Sequence, residues 1–407
     1  MTTNSLYISP LPTMPPSAQQ HKCRSSIRSS HSSNINAMVV PAAAAPECGR
    51  REAAAAAAAA VFCRRGRGVV VPTVDMSAPA GRGELSRQVA RACAGSGFFR
   101  AVNHGVPPRV SAAMDAAAAA FFVRAGAEKQ LAGPPDPLGY GSRSIGANGD
   151  VGELEYLILH ASPDAVARKA SAIDREDPRR FSQVVNDYVE AVRQLACHVL
   201  DLLGEGLGLR DPTSLTRLIT ATDNDSLIRI NHYPPSCAAA AGDHKSGGGP
   251  APTAAIGFGE HTDPQILSVL RANDADGLQL LLPDAAAAGD SVWVPVPPDP
   301  SAFFVNVGDL LQALTNGRLV SIRHRVVVGT GKPRLSTIYF AAPPLHARIS
   351  ALPETVAAGA PRRYRAFTWA EYKRTMYTLR LSHNRLDLFH AGDGDGDAGV
   401  GDDDDHE

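Results

Sequence analysis

The sequence predicts a mainly β protein with flanking helices, whose core is a double-stranded β-helix of the jelly-roll, cupin-like type. Three observations support this fold class. From Ser226 onward, about eight short runs rich in β-branched and aromatic residues alternate with turn signals, as in two packed antiparallel sheets. Apolar residues at spacings of three and four over Phe181–Leu207 predict a long helix that covers one face of this core. The hydrophobic content of 44% is sufficient for a large core.

Residues 1–60 are predicted to form a disordered extension, because they are rich in Ser, Pro and Ala and poor in bulky apolar residues. The absence of an acidic residue before Glu47, together with Arg24 and Arg28, is weakly typical of a transit peptide. We favour a plain unstructured extension of a cytoplasmic protein, with Met38 as an alternative start.

Residues 69–225 are predicted to form an N-terminal region of helices with a few strands. A β-branched run opens it, and Gly204 to Gly208 end its longest helix. The predicted elements are a strand near Val69–Asp75, a helix over Gly83–Ala94, a strand over Gly97–Val106, a helix with the body Met114–Val123, and the long helix Phe181–Leu207.

Residues 226–345 are predicted to form the jelly-roll core, with an Ala/Gly-rich insertion at 237–255 in a connecting loop. Residues 346–390 are predicted to be a C-terminal helical segment in which Thr368 and Glu371 form a capping box and the helix continues to about Asn384. Residues 391–407 are read as a disordered acidic tail. The predicted core strands are Leu227–Tyr233, Ile266–Arg271, Leu278–Leu282, Trp293–Pro295, Phe303–Val307, Arg325–Val328, Leu335–Ala341 and Ile349.

Composition excludes several classes of protein. The net charge of −1 at pH 7 provides no basic field for nucleic acid. No uncharged apolar run reaches about 18 residues, so no membrane-spanning helix is expected. The six cysteines are scattered without a C-x-x-C motif, which favours a reduced, intracellular protein without a disulfide framework or zinc site. The oligomeric state is not predicted.

One stretch carries residues of metal-ligand type. His261 and Asp263 are two positions apart, so on a strand their side chains point to the same face. His324 follows later in the chain. Two imidazoles and one carboxylate, with the other positions left open, form the facial triad of non-haem Fe(II) oxygenases.

A second stretch carries an anion-binding pattern. Arg334 and Ser336 alternate on a predicted strand and therefore share a face. A guanidinium there binds a planar carboxylate through two parallel hydrogen bonds, and the hydroxyl adds a donor.

The sequence around these residues resembles that of the plant 2-oxoglutarate- and Fe(II)-dependent dioxygenases. Within this group it is most similar to the gibberellin 2-oxidases (gibberellin 2-beta-dioxygenases). The resemblance covers roughly Val69 to Phe389. It rests on RINHYPPS, GFGEHTDPQ, VNVGDLLQALTNGRLVSIRHRVV and RLSTIYFAAPPL.

The resemblance implies roles for particular residues. It implies that His261, Asp263 and His324 bind Fe(II), and that 2-oxoglutarate and O2 are co-substrates, with ascorbate in support. The far carboxylate of 2-oxoglutarate needs a fixed cation in a buried site. Arg334 is expected to be that cation and is counted with the three metal ligands among the catalytic residues. Tyr233, Ser336 and Asn231 are expected to complete this site.

The implied activity is 2β-hydroxylation of C19 gibberellins, which inactivates the hormone. The substrate is then a diterpenoid acid, for which we expect an apolar pocket with one cation. Tyr140 and Arg143 lie in a segment that lines this pocket in the family. We expect both to face substrate, with Arg143 pairing with the substrate carboxylate. The alternative for Arg143 is a solvated loop arginine.

Two alternative functions stay open at this point. One is another plant 2-oxoglutarate oxygenase, such as a gibberellin 3- or 20-oxidase or a flavonoid or alkaloid hydroxylase. The other is a non-catalytic protein that binds a small acid, although binding alone requires no iron. Release of succinate with a candidate gibberellin distinguishes these possibilities.

Three charged residues near the motifs are interpreted without a role in the site. Asp309 is read as a turn residue at the end of a strand. Arg323 and Arg325 flank His324, so on a strand they point away from a metal bound by that histidine.

Overall fold

The computed structural model describes residues 71–135, 138–145, 148–235, 255–283, 291–329 and 331–392. The predicted N-terminal extension with its alternative start, almost all of the Ala/Gly-rich insertion and most of the acidic tail lie outside the described residues.

Fourteen strands occur among the described residues. They are β1 Thr73–Asp75, β2 Phe98–Val102, β3 Gly139–Ser144, β4 Val151–His160, β5 Leu227–Tyr233, β6 Ile256–His261, β7 Leu267–Ala272, β8 Leu278–Pro283, β9 Ser291–Pro295, β10 Phe303–Val307, β11 His324–Val327, β12 Arg334–Ala341, β13 Arg348–Ile349 and β14 Phe367–Thr368.

Eight α-helices occur in the same described ranges. They are α1 Arg82–Gly95, α2 Pro108–Phe122, α3 Gly126–Gln130, α4 Pro163–Ile173, α5 Pro178–Leu207, α6 Ser214–Thr220, α7 Asp309–Leu314 and α8 Trp369–Thr378. Short 3₁₀ turns cover Pro353–Thr355 and Arg385–Phe389. None of the helices in the described part of the chain is long and apolar enough to cross a membrane.

The strands form two main sheets, and the predicted jelly-roll architecture is confirmed. The large sheet has the order β1-β2-β10-β7-β12-β5-β4-β3, and the small sheet has the order β6-β11-β8-β9. A cluster of buried side chains from both sheets, including Tyr156, Tyr233, Phe258, Leu280 and Phe304, fills the space between them. Two sheets packed around such a layer provide a rigid frame with one open mouth.

Helix α5 supports the large sheet from its outer side. It buries an apolar stripe that includes Val185, Val192, Val199 and Leu203, and these residues share a core cluster with strand residues such as Val305. The helix begins earlier than predicted, at Pro178, because Asp177 caps it by accepting a hydrogen bond from the Arg180 N–H.

No element was predicted within the segment 124–180, but it contains β3 and β4, and β4 pairs with β5 over six residue pairs. Two predictions about other segments were wrong. Helix α8 ends at Thr378 rather than near Asn384, although Thr368 caps it as predicted by accepting from the Glu371 N–H at 3.2 Å. Asp309 follows β10 closely, but it is the buried first residue of α7 and not the turn residue that was predicted.

Candidate active site

The two histidines of the candidate metal site face each other across the small sheet. His261 is the last residue of β6 and His324 the first of β11, and they are direct partners in the antiparallel ladder. Asp263 lies beyond the end of β6. It is therefore not on the same strand as His261, in contrast to the prediction. It converges with both rings nonetheless, because its Oδ1 is 3.7 Å from the Nε2 atom of each histidine.

Backbone and side-chain hydrogen bonds orient these three groups. His261 Nδ1 is 2.8 Å from the Gly259 carbonyl oxygen, and His324 Nδ1 is 3.2 Å from that of Ile322. Each Nδ1 therefore carries the proton, and each Nε2 presents its lone pair to the site. Asn306 donates from Nδ2 to Asp263 Oδ2 at 2.6 Å, so Oδ1 is left for a ligand.

The electrostatics of the cluster match its donor set. Burial lowers the pKa of His261, and the neighbouring His324 lowers it further, so the imidazole is neutral at pH 7. Burial acts to raise the pKa of Asp263, but electrostatic interactions with His324 and His261, together with the hydrogen bond from Asn306, outweigh it and lower the pKa, so the carboxyl is ionised. Two imidazole nitrogens and one carboxylate oxygen with open positions suit a ferrous ion. In the described part of the chain no other group of three such ligands converges.

The cluster opens into a cavity of about 200 Å³ between the two sheets. Alternate residues of β5 and β12 line its floor, as expected for one face of a pleated sheet. In register across these strands, Tyr233 is opposite Arg334, and Asn231 is opposite Ser336. The four residues predicted to bind the co-substrate are therefore neighbours on one wall.

Arg334 is buried and retains unused donors. Its Nη1 donates to the Ala275 carbonyl oxygen at 3.0 Å, while its Nε has no partner among the described residues. Burial lowers the pKa of Arg334, but a guanidinium stays protonated in proteins. Burial raises the pKa of Tyr233, whose hydroxyl consequently stays a donor. This wall can neutralise one buried carboxylate.

The remainder of the cavity wall is mostly apolar. Strand residues contribute to it, and so do residues at the end of α8 and just beyond that helix. Its apolar members include Ile145, Ile158, Leu227, Leu270, Ile338, Phe340, Met376, Leu379 and Leu381.

The structure contradicts the predicted roles of Tyr140 and Arg143, neither of which lines this cavity. Tyr140 is buried on the helix-covered face of the large sheet, and its hydroxyl donates to Glu155 Oε2 at 2.6 Å. Arg143 has a φ of 62° at a register shift in the edge strand β3, which directs it to solvent. Its side chain is 72% exposed and pairs with Glu153 at 2.6 Å.

Arg323 and Arg325 point away from the metal cluster, as predicted. Arg323 pairs with Glu260 and also donates to the Ser382 carbonyl oxygen. Arg325 stacks over the Trp293 ring at 4.0 Å.

The sequence analysis assigned no role in the site to four residues that the structure places at or beside it: Arg229, Asn306, Arg385 and Asp309. Arg229 lines the cavity on β5. Its alternation with Asn231 and Tyr233 was the signal that placed it on the same strand face. Asp309 accepts hydrogen bonds from Thr262, Ser321 and Tyr372. The sequence feature that could have identified Asp309 is its position as an acidic residue within an apolar run.

Comparisons with known proteins agree with this geometry. Residues 224–343 match the 2OG-Fe(II) oxygenase superfamily, and residues 71–174 match the non-haem dioxygenase in morphine synthesis N-terminal family. Gibberellin 2-beta-dioxygenase 1 of Oryza sativa subsp. japonica is 61% identical over 88% of this chain and 97% of its own length. The gibberellin 2-beta-dioxygenase of Phaseolus coccineus is 46% identical over 78% of this chain and 90% of its own length.

A solved structure is similar over most of the fold. The rice dioxygenase for auxin oxidation has a TM-score of 0.63 and 30% identity, and the match covers 79% of this chain and all of that one.

Proposed function

We propose, from the premise that the chain belongs to the gibberellin 2-beta-dioxygenases within the 2OG-Fe(II) oxygenase superfamily, that it hydroxylates the 2β carbon of C19 gibberellins. The product is an inactivated hormone. The observation that carries this proposal is the His261, Asp263 and His324 cluster, which opens into an apolar cavity with a fixed guanidinium in its wall.

Each group of residues has a separate task in this proposal. His261, Asp263 and His324 would hold Fe(II) through two Nε2 atoms and one carboxylate oxygen. Arg334 would neutralise the far carboxylate of 2-oxoglutarate, with Ser336 and Tyr233 as further donors and Asn231 beside them. This arrangement holds the co-substrate between a cation and the metal ligands.

Fe(II), when bound, supplies the chemistry by which O2 converts 2-oxoglutarate to succinate and CO2 while one oxygen atom enters a C–H bond of the substrate. No side chain of the site has to act as a general acid or base. The protein's own contribution is to position one C–H bond and to exclude water. Accurate positioning of this kind accounts for a large share of the rate enhancement in many enzymes.

The apolar wall provides the second half of the site. Side chains such as Ile338, Phe340 and Leu270 match a rigid hydrocarbon skeleton, because ligand pockets are mostly apolar with a few placed polar groups. A gibberellin is such a skeleton with one carboxylate.

The test uses the full chain with Fe(II), 2-oxoglutarate, ascorbate and a C19 gibberellin. We expect gibberellin-dependent release of succinate, and a product that mass spectrometry and NMR identify as the 2β-hydroxylated compound. Oxidation at another carbon, or of a flavonoid or alkaloid instead, would favour the other oxygenase classes. Binding of the gibberellin without turnover would favour a non-catalytic acid-binding protein.

A further inference from the structure

Arg229 is a cation in an otherwise apolar row of the cavity wall. On neighbouring strands its register partners are Ile158 on one side and Ile338 on the other, and Ile338 in turn lies opposite Leu270. Among the described residues no carboxylate forms an ion pair with Arg229, although the charge of Asp263 acts on it electrostatically. Arg229 is half-buried as a residue, but its Nη2 atom is buried, and a charge held out of water without an anionic partner is destabilising, so this placement requires an explanation.

The guanidinium of Arg229 is held by ring contacts and one hydrogen bond, but one of its nitrogen atoms donates to no partner among the described residues. Its Cζ lies 4.1 Å from the centroid of the Tyr156 ring and 4.9 Å from that of Phe258. Its Nε donates to Asn231 Oδ1 at 2.8 Å, but its Nη2 is buried and has no hydrogen-bond partner in the described ranges. Stacking on two rings fixes the plane of the group without neutralising its charge.

Arg229 differs from the two other arginines that line the cavity in the described structure. Arg385 donates to the Thr262 carbonyl oxygen at 2.7 Å, and its charge acts on Asp309. Arg334 stands opposite Tyr233 in the wall assigned to 2-oxoglutarate. Arg229 is four residues from Tyr233 along β5, which corresponds to about 13 Å at the rise of an extended strand. The backbones of Arg229 and Arg334 thus lie at different levels of the same wall, although both guanidinium groups act electrostatically on the Tyr233 hydroxyl.

We propose that Arg229 binds the carboxylate of the substrate through charge-assisted hydrogen bonds, and thereby sets the orientation of the apolar skeleton relative to the metal ligands. The ligand class is a monocarboxylic acid with a rigid hydrocarbon frame. The inference rests on the proposed function and adds to it the residue that recognises the acid. It replaces Arg143, which the structure places at the surface.

The test compares a C19 gibberellin with its methyl ester, which removes the negative charge and keeps the skeleton. We expect the wild-type chain to have a higher kcat/KM for the acid. Loss of one partner from a buried charge pair predicts that Arg229→Met lowers the acid-to-ester ratio of kcat/KM roughly 30-fold. Arg229→Lys should keep part of the preference, because it retains the charge and loses the planar fork. The matched control is Arg143→Met, which should leave the ratio unchanged.

A second measurement separates Arg229 from the co-substrate wall. The affinity for 2-oxoglutarate, measured by anaerobic titration with Fe(II), should fall much less in Arg229→Met, which loses only the hydrogen bond to Asn231, than in Arg334→Met. An unchanged acid-to-ester ratio in Arg229→Met contradicts the proposal, and so does a loss of 2-oxoglutarate affinity in that variant as large as the loss in Arg334→Met. If Arg229→Met does not fold, Arg229→Lys and Arg229→Gln provide the same comparison.

Failure of the proposed function has a different signature. In that case the wild-type chain makes no hydroxylated gibberellin, whatever residue stands at 229. Binding of the acid and of the ester, measured by calorimetry on the wild-type chain and Arg229→Lys, then decides the role of Arg229 separately. Equal affinities of the wild-type chain for acid and ester would overturn it.

Discussion

Tyr372 donates a hydrogen bond of 2.7 Å to the buried carboxylate of Asp309, and this contact joins the C-terminal helix to the metal-site segments. The same carboxylate accepts from Thr262, which lies between His261 and Asp263 in sequence, at 3.1 Å, and from Ser321 at 2.7 Å. The Asp309 N–H donates to the Asp263 carbonyl oxygen at 2.8 Å. Asp309 thus braces the segments on both sides of the cluster.

We expect Asp309→Ala to weaken Fe(II) binding by about 10- to 100-fold, since residues that orient metal ligands have effects of this size. Asp309→Asn should recover part of the loss, because its amide oxygen can still accept hydrogen bonds. Fe(II) titration and thermal unfolding of the metal-free protein distinguish positioning from stability. Asp211→Asn, at an exposed site, is the control. If Asp309→Ala and Asp309→Asn both lose thermal stability while neither changes in Fe(II) affinity, a positioning role is contradicted.

The metal ligands themselves give a sharper prediction. His261→Ala and Asp263→Ala should each abolish product formation, because two remaining ligands hold a ferrous ion poorly. Circular dichroism should show an intact fold, since the three side chains line the cavity and do not belong to the apolar cluster between the helices and the large sheet. Activity retained by either variant would refute the assignment.

Arg334 is predicted to act on the co-substrate and not on the gibberellin. Arg334→Lys keeps the charge but loses the two-pronged geometry, so the KM for 2-oxoglutarate should rise about 10-fold or more. The KM for gibberellin at saturating 2-oxoglutarate should change much less. Steady-state kinetics with each compound varied in turn measure both values. A rise confined to the gibberellin KM would reverse the roles of Arg334 and Arg229.

Much of the core was predictable because its signals are local. The strands β5, β10 and β12 are short runs rich in β-branched and aromatic residues between clear turn residues, and α5 has a regular apolar stripe. The pairing of Arg334 with Ser336 followed from the two-residue period of a strand, and both line the cavity.

The errors concern residues whose environment is set by distant parts of the chain. Strand β4 was not predicted although its burial alternates from Val151 to Tyr156, and its partner β5 lies about 70 residues further along the chain, so the pairing is not a local signal. Arg143 was predicted to line the pocket because the corresponding segment lines it in the resembling family. A register shift beside Arg143 instead turns its side chain towards solvent. Asp309 looks like a turn residue until Ser321 and Tyr372 are brought to it by the fold.

The last prediction concerns a buried charge cluster on the other face of the large sheet. Glu155 accepts from Lys129 and Tyr140, each at 2.6 Å, and His232 Nδ1 lies 2.8 Å from it. Burial acts to raise the pKa of Glu155, but hydrogen bonds from His232 and Lys129 outweigh it and lower the pKa from 4.5 to about 2. A carboxyl with a depressed pKa stabilises the fold above its unfolded value, and that stability is lost as pH falls through the folded value.

Glu155 should therefore contribute on the order of 2 kcal/mol at pH 6, after allowance for screening by solvent, and this contribution should fall between about pH 4.5 and about pH 2. Urea unfolding of the wild-type chain and of Glu155→Gln at pH 6 and at pH 3 measures it. The wild-type chain should be more stable at pH 6, and the difference between the two proteins should shrink at pH 3, because the carboxyl is then increasingly protonated in the unfolded state and only weakly so in the folded state. An equal difference at both pH values would show that the cluster stabilises the fold through packing and not through the charge of Glu155.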